Sequence, residues 1–219
     1  AVAVQVGDRG DAAAGQVVAR DLLADEAAVR AEDLEATDAG GDVTCEVATD
    51  TRIGIATGNS TGVYYVLGGG LASLISANTP LKATAAETGA SVQNIQQLVA
   101  GEYDVAFSLA DTAADAVRGQ GAFDAPQDVQ ALARIYSNYT HVVVQRSAGI
   151  TTMADFRGKR ISTGSPRSGT EVIANRLLQA AGQNPETDVL PQRLELGKTI
   201  DAMKDGSIDG FVWSGGLPT

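Results

Sequence analysis

An α/β protein made of two small lobes is what this sequence predicts, and three observations predict it. Short β-branched runs alternate with helix-length segments through residues 51–219, glycine- and hydroxyl-rich turns join strands to the helices after them, and the alternation restarts after a crossover near Ile135–Gln145. Strand, polar glycine turn, helix and strand again is the pattern of βαβ units in a mostly parallel sheet. At 219 residues the chain can bury the core of one domain or of two lobes, so length leaves the decision to the pattern.

Residues 1–50 stand apart as an acidic extension. They open on an apolar start, Ala1–Val6, whose Val2, Val4 and Val6 could supply a strand, and continue into a helix-prone stretch near residues 12–35 with an irregular apolar face. The Asp38-Ala39-Gly40-Gly41-Asp42 run then reads as a linker, because consecutive glycines make an ordered backbone costly.

The first lobe, 51–138, begins with a strand at Arg52–Ala56, the TGNSTG turn at 57–62 and a helix over Val63–Ser76. A strand at Lys82–Ala86, the turn Glu87–Ser91 and a helix over Val92–Ala100 repeat the unit. Tyr103–Leu109 is a third strand, followed by a helix over 110–118 and a strand at Val129–Ile135.

The second lobe with its crossover, 139–219, starts at THVVVQ, the clearest strand by β-branched density. A short helix within Ser147–Phe156, a strand at Arg160–Thr163 and the turn Gly164–Thr170 lead to a helix over Glu171–Ala181. Gly182 can stop that helix in a left-handed cap, and Pro185 hinders its resumption. Leu190–Leu194, a helix over 197–204 and a strand at Gly210–Trp213 complete the series.

Charge and composition narrow the function classes. The formal net charge is -11, but residues 1–50 hold twelve acids against three arginines, and the remainder is nearly balanced with fifteen acids and thirteen bases. An acidic head and a neutral body disfavour nucleic acid and anionic membrane surfaces. Cys45 is the single cysteine, which rules out an intrachain disulfide, and it lies far from the lone histidine, His141. With no second histidine and no advertised nucleophile, His141 reads as structural rather than as a metal ligand or catalytic base. No apolar run of about 18 residues and no basic, apolar leader is visible in the sequence.

Ligand sites in open α/β sheets form at the carboxyl ends of strands and between domains, so the glycine and hydroxyl loops should converge on one cleft. The first, TGNSTG, puts hydroxyls and backbone donors at a helix start, with plain capping by Ser60 or Thr61 as the competing reading. In Glu87–Ser91, Ser91 can likewise cap the next helix. Ser165–Thr170 is the most informative, offering adjacent hydroxyls, a glycine and Arg167 at a helix start, a combination suited to a carboxylate. Tyr136 and Tyr139 beside the crossover can stack on a ligand or pack the junction, and Trp213 can form a cleft wall or a piece of core.

RIGIATGNSTGVYY, ETGASVQNI, DVAFSLAD, SPRSGTEVIANRLL and GFVWSGGLP, in that order, resemble the TAXI family of extracytoplasmic solute receptors, which serve tripartite ATP-independent (TRAP) transporters. The resemblance runs from Arg52 to Thr219. It implies a two-lobed periplasmic-binding-protein fold of the second type and a receptor, not an enzyme, for glutamate, glutamine or a related small carboxylate. It places ligand contacts at Gly58, Asn59 and Tyr64, at Thr88 and Gly89, at Ser108, at Tyr139, at Ser168, Gly169 and Thr170, and at Trp213. No metal or cofactor is expected. The implied partners are the membrane subunits of a TRAP transporter, the location is the periplasm or cell surface, with anchoring through a processed N-terminus left open, and a complete receptor would be a monomer.

The acidic head has no counterpart in the resemblance, and GDVTC around Cys45 does not follow a lipoprotein processing site. A member of that family would continue past Thr219 with the rest of the second lobe and a strand returning to the first. The expectation is therefore a fold incomplete at the C-terminus, in a chain that is part of a longer receptor or a truncated product that self-associates. The alternative function is the ligand-sensing domain of a regulatory or signalling protein, which an attached DNA-binding, kinase or membrane segment would distinguish.

Overall fold

The computed structural model describes residues 2–6 and 51–216. The helix-prone stretch near 12–35, the linker at 38–42 and Cys45 lie outside them. The described chain forms nine strands in two sheets, with five α-helices packed against them.

In the first sheet the order is β3-β2-β4-β1-β5. Strands β2 (Arg52–Ala56), β3 (Lys82–Ala86) and β4 (Val105–Ser108) are mutually parallel. β5 (Val129–Arg134) closes the far edge. Between β4 and β5 lies β1 (Val2–Val6), antiparallel to both. The apolar alternation at the head of the chain thus serves the first sheet, although the sequence groups it with an acidic extension. Helices α1 (Val63–Asn78), α2 (Ser91–Val99) and α3 (Ala110–Arg118) cover the sheet.

The chain passes to the second sheet between Arg134 and Tyr139. Its order is β6-β9-β7-β8, built from β6 (Tyr139–Val144), β7 (Arg160–Ser162), β8 (Leu190–Gln192) and β9 (Gly210–Gly215). β7 is parallel to β8 and β9, whereas β6 and β9 are antiparallel, with His141 opposite Trp213. Two 3-10 turns, at Arg146–Ala148 and Met153–Phe156, stand where a short helix is expected. Helices α4 (Gly169–Ala180) and α5 (Leu196–Asp205) complete the lobe. Gly182 follows α4 at φ +73°, the left-handed conformation that ends a helix without a Cβ clash.

Each sheet is packed on both faces. In the first lobe Ile55, Tyr64, Ala72 and Phe107 gather under α1, and Val92, Ile95, Leu98 and Phe123 gather with α2. In the second, Phe156, Ile161, Leu178 and Val189 pack under α4, and Ala202, Ile208 and Phe211 under α5. This two-sided burial directs the carboxyl ends of β2, β3, β4 and β7, and the helix starts that follow them, towards one interlobe cleft.

Candidate functional site

The cleft is lined by the starts of four helices. Gly62, Val63 and Tyr64 come from α1, Ala90 and Ser91 from α2, Leu109 from α3, and Ser168, Gly169 and Thr170 from α4. Gly58, Asn59, Gly89, Tyr136, Ser165, Trp213, Ser214 and Gly215 complete the wall. A helix start presents backbone N–H groups without intrahelical acceptors and the positive end of the helix dipole, so the four starts favour negative charge in the cleft without a basic side chain, although the Val92 and Gln93 N–H groups of α2 are taken here by the Arg167 carbonyl. Among the described residues that line it there is no Lys, Arg, His, Asp or Glu.

The loops are held by internal hydrogen bonds that decide which groups remain for a solute. Asn94, fully buried in α2, donates from Nδ2 to the carbonyls of Thr57, at 2.6 Å, and Phe107, at 2.8 Å, tying the ends of β2 and β4 together. Its Oδ1 accepts the Thr88 hydroxyl at 2.5 Å. Asn59 uses Oδ1 to accept the Thr61 hydroxyl at 2.7 Å and thereby keeps its amide NH2 as the donor it can offer. Neither Ser60 nor Thr61 caps α1. The helix starts after Gly62 with no side-chain cap, and the Ser60 N–H donates to Glu87 Oε1 at 2.8 Å.

Ser91 does not cap α2 either. Its Oγ accepts the Leu109 N–H at 3.1 Å and lies 3.5 Å from the Tyr64 hydroxyl. Tyr64 is buried, stacks at a tilt on Phe107 with centroids 5.5 Å apart and meets Tyr136 edge-on at 6.4 Å. Burial pushes both tyrosine hydroxyls well above their usual pKa, and in the pair of Tyr64 and Ser91 either hydroxyl can be the donor.

On the second-lobe side Ser168 is a true N-cap. Its Oγ accepts the Glu171 N–H at 3.1 Å, while its own hydroxyl hydrogen remains to be donated. Thr170 Oγ1 accepts the Ser214 N–H at 3.3 Å, which fixes the hydroxyl and likewise leaves its proton. Trp213 Nε1 is buried without a hydrogen-bond partner and sits on the cleft wall, a third donor from this lobe.

Of the residues expected from sequence, Gly58, Asn59, Tyr64, Gly89, Ser168, Gly169, Thr170 and Trp213 are brought to the cleft. Thr88, Ser108 and Tyr139 do not line it. The Thr88 hydroxyl serves Asn94 and accepts the Ala90 N–H at 3.1 Å; Ser108 is fully buried and donates to the Leu109 carbonyl at 3.0 Å; Tyr139 is about half exposed on β6 opposite Gly215. Ser91, Ser165 and Tyr136 line the cleft instead. The tyrosine pair at the crossover was the signal for Tyr136, but three residues of spacing give no means of choosing between them.

The lobes are in contact, and the space left between them is about 40 Å3, room for a few waters rather than for an organic solute. Among the described residues no group of three His, Cys, Asp or Glu could hold a metal, and no helix is long and apolar enough to cross a membrane.

Two α/β lobes with a cleft at the carboxyl ends of their parallel strands make up the periplasmic-binding-protein fold of the second type. Residues 55–219 match the NMT1-like family, and the chain belongs to it. Among solved structures it is similar to the binding component of an ABC phosphonate transporter from Pseudomonas aeruginosa, with 13% identity and a TM-score of 0.54 over 75% of this chain and 57% of that one. It is also similar to an ancestral arginine-binding protein bound to arginine, with 13% identity and a TM-score of 0.52 over 76% of this chain and 71% of that one. A protein from Bordetella bronchiseptica gives 19% identity and a TM-score of 0.53 over 77% of this chain and 52% of that one. The chain spans about half the length of several structures it matches, 55%, 51% and 52%. At these identities the likeness fixes the fold.

Proposed function

We propose that this chain is the binding part of an extracytoplasmic solute receptor of the TAXI group, taking a small carboxylate of the class that glutamate and glutamine represent and presenting it to the membrane subunits of a TRAP transporter. The observation that carries the solute class is the convergence of four helix starts on a cleft whose described lining has no Lys, Arg, His, Asp or Glu. Such a cleft compensates a carboxylate with backbone N–H groups and the Ser168, Thr170 and Trp213 donors, and no covalent step is involved. The structural relatives named for phosphonate and for arginine differ in the charge of their solutes, so the choice of an anion rests on this cleft.

A thermal-shift screen tests the reading. Ligand at a hundred times its dissociation constant adds about 2.7 kcal/mol of stability, enough for a clear rise in melting temperature. Glutamate, glutamine and glutarate, which has the carboxylates without the ammonium group, are expected to include at least one stabilising solute. With no acid in the described lining to hold an ammonium, glutarate should bind at least as well as glutamate. Stabilisation by sugars or metal ions alone would overturn the carboxylate assignment.

A further inference from the structure

We propose that the closed cleft is held by a latch outside the solute site, centred on Arg176, and that this latch sets solute affinity through residues that never touch the solute. Arg176 lies on α4, beyond the helix start that lines the cleft. Its guanidinium reaches across to α3 of the other lobe, with Nη1 donating to Asp111 Oδ2 at 3.2 Å and Nη2 to Asp115 Oδ2. The Asp115 side chain is only 11% exposed, so this end of the pair is shielded from solvent, whereas Arg176 is 44% exposed. None of the three lines the cleft.

Two further contacts close the same seam. The carbonyl of Arg167 accepts the Val92 and Gln93 N–H groups, each at 3.1 Å, so the second lobe itself occupies the first-turn donors of α2. Arg167 adopts φ +61° to do so, a conformation that a residue with a Cβ adopts only when its surroundings enforce it. Beside it Gly169 is packed so closely that a Cβ would stand 2.5 Å from Leu109 Cδ1 and 2.8 Å from Ser91 Oγ. The two lobes therefore meet in a fitted interface, part of which, at Gly169, Leu109 and Ser91, is shared with the cleft wall, whereas the Arg176 ion pairs stand outside it.

The apparent dissociation constant of a clamp is its intrinsic value divided by the fraction of molecules in the competent state. Contacts made only in the closed state raise that fraction, and a half-exposed ion pair is worth enough to change it about two- to fivefold. This inference depends on lobe closure and not on the identity of the solute, so its test is made first on the solute-free protein. Trp213, the sole tryptophan, lies in the cleft wall and reports opening by fluorescence, and small-angle scattering reports it by the radius of gyration.

Arg176→Gln and Asp115→Asn are each expected to shift Trp213 emission to the red and enlarge the radius of gyration, with an unchanged far-ultraviolet spectrum. The double variant should shift no further than the larger single one, since both remove the same pair. High salt should move the wild type in the same direction and leave the double variant unmoved. If a charge variant fails to fold, Arg176→Lys and Asp111→Asn, which keep the side chains close to their native size, carry the same test. With whichever solute the screen identifies, the charge variants should bind about two- to fivefold more weakly. Emission and scattering of Arg176→Gln and Asp115→Asn that match the wild type without solute, or single-variant shifts that simply add, would overturn the latch whatever the screen finds.

Discussion

Asn94 and Thr170 show how single side chains divide labour around the cleft. Asn94 satisfies two buried carbonyls at strand ends and receives the Thr88 hydroxyl, so its role is to fix the loops. Orphaning a buried polar group costs roughly 1–3 kcal/mol, and Asn94→Ala orphans at least two carbonyls. That variant should lose several degrees of melting temperature in a thermal melt, and a change within error would show that water replaces the amide. Thr170 accepts one backbone N–H and retains its own proton to donate. A charge-assisted hydrogen bond is worth about 1.5–3 kcal/mol, so Thr170→Ala should weaken solute binding about ten- to a hundredfold by calorimetry and move the melting temperature far less. Unchanged affinity with a lower melting temperature would make Thr170 a purely structural residue.

At the scale of elements, α1 depends on glycine in two opposite ways. Gly68 faces β2, where a Cβ would approach Thr57 Cγ2 to 2.4 Å, whereas Gly70 has open space around its Cβ position. Gly68→Ala should cost about 1–3 kcal/mol through overpacking, and Gly70→Ala should gain about 1 kcal/mol through helix propensity. Urea unfolding of the two variants separates the signs; a stabilised Gly68→Ala would mean that α1 shifts on the sheet at little cost. The elements themselves were legible in the sequence because β-branched runs such as RIGIA and THVVV and the glycine turns between them are local signals. β1 carries the same alternation, but its place between β4 and β5 is set by pairing with strands about a hundred residues away, which no local pattern specifies. The candidate cleft was legible to the level of the loops that line it. Within a loop, tertiary contacts decide: Thr88 and Ser108 spend their hydroxyls on internal bonds, and Ser91, read as a cap, serves Leu109 and faces Tyr64.

For the whole molecule, the two lobes should respond unequally to acid. Hydrogen bonds from the Thr151 and Thr152 backbone hold the Asp155 carboxyl at about 2, in a capping box that begins a 3-10 turn. Asp188 is lowered first by the Asn184 backbone N–H, Asp205 by Ser207 and Asp209 by its fork with Arg160. All four belong to the second lobe. A carboxyl whose folded pKa lies below its unfolded value near 4 contributes stability that is complete above about pH 4 and is lost as pH falls towards the folded value, about 2 for Asp155, because the unfolded chain takes up the proton first. Hydrogen exchange followed peptide by peptide between about pH 4 and pH 2 should therefore show β7, β8 and β9 losing protection before β2, β3 and β4. Asp155→Asn should flatten the pH dependence of second-lobe protection in that window, since the group that titrates has gone. Opening of the first sheet ahead of the second, or an unaltered slope in Asp155→Asn, would contradict this assignment.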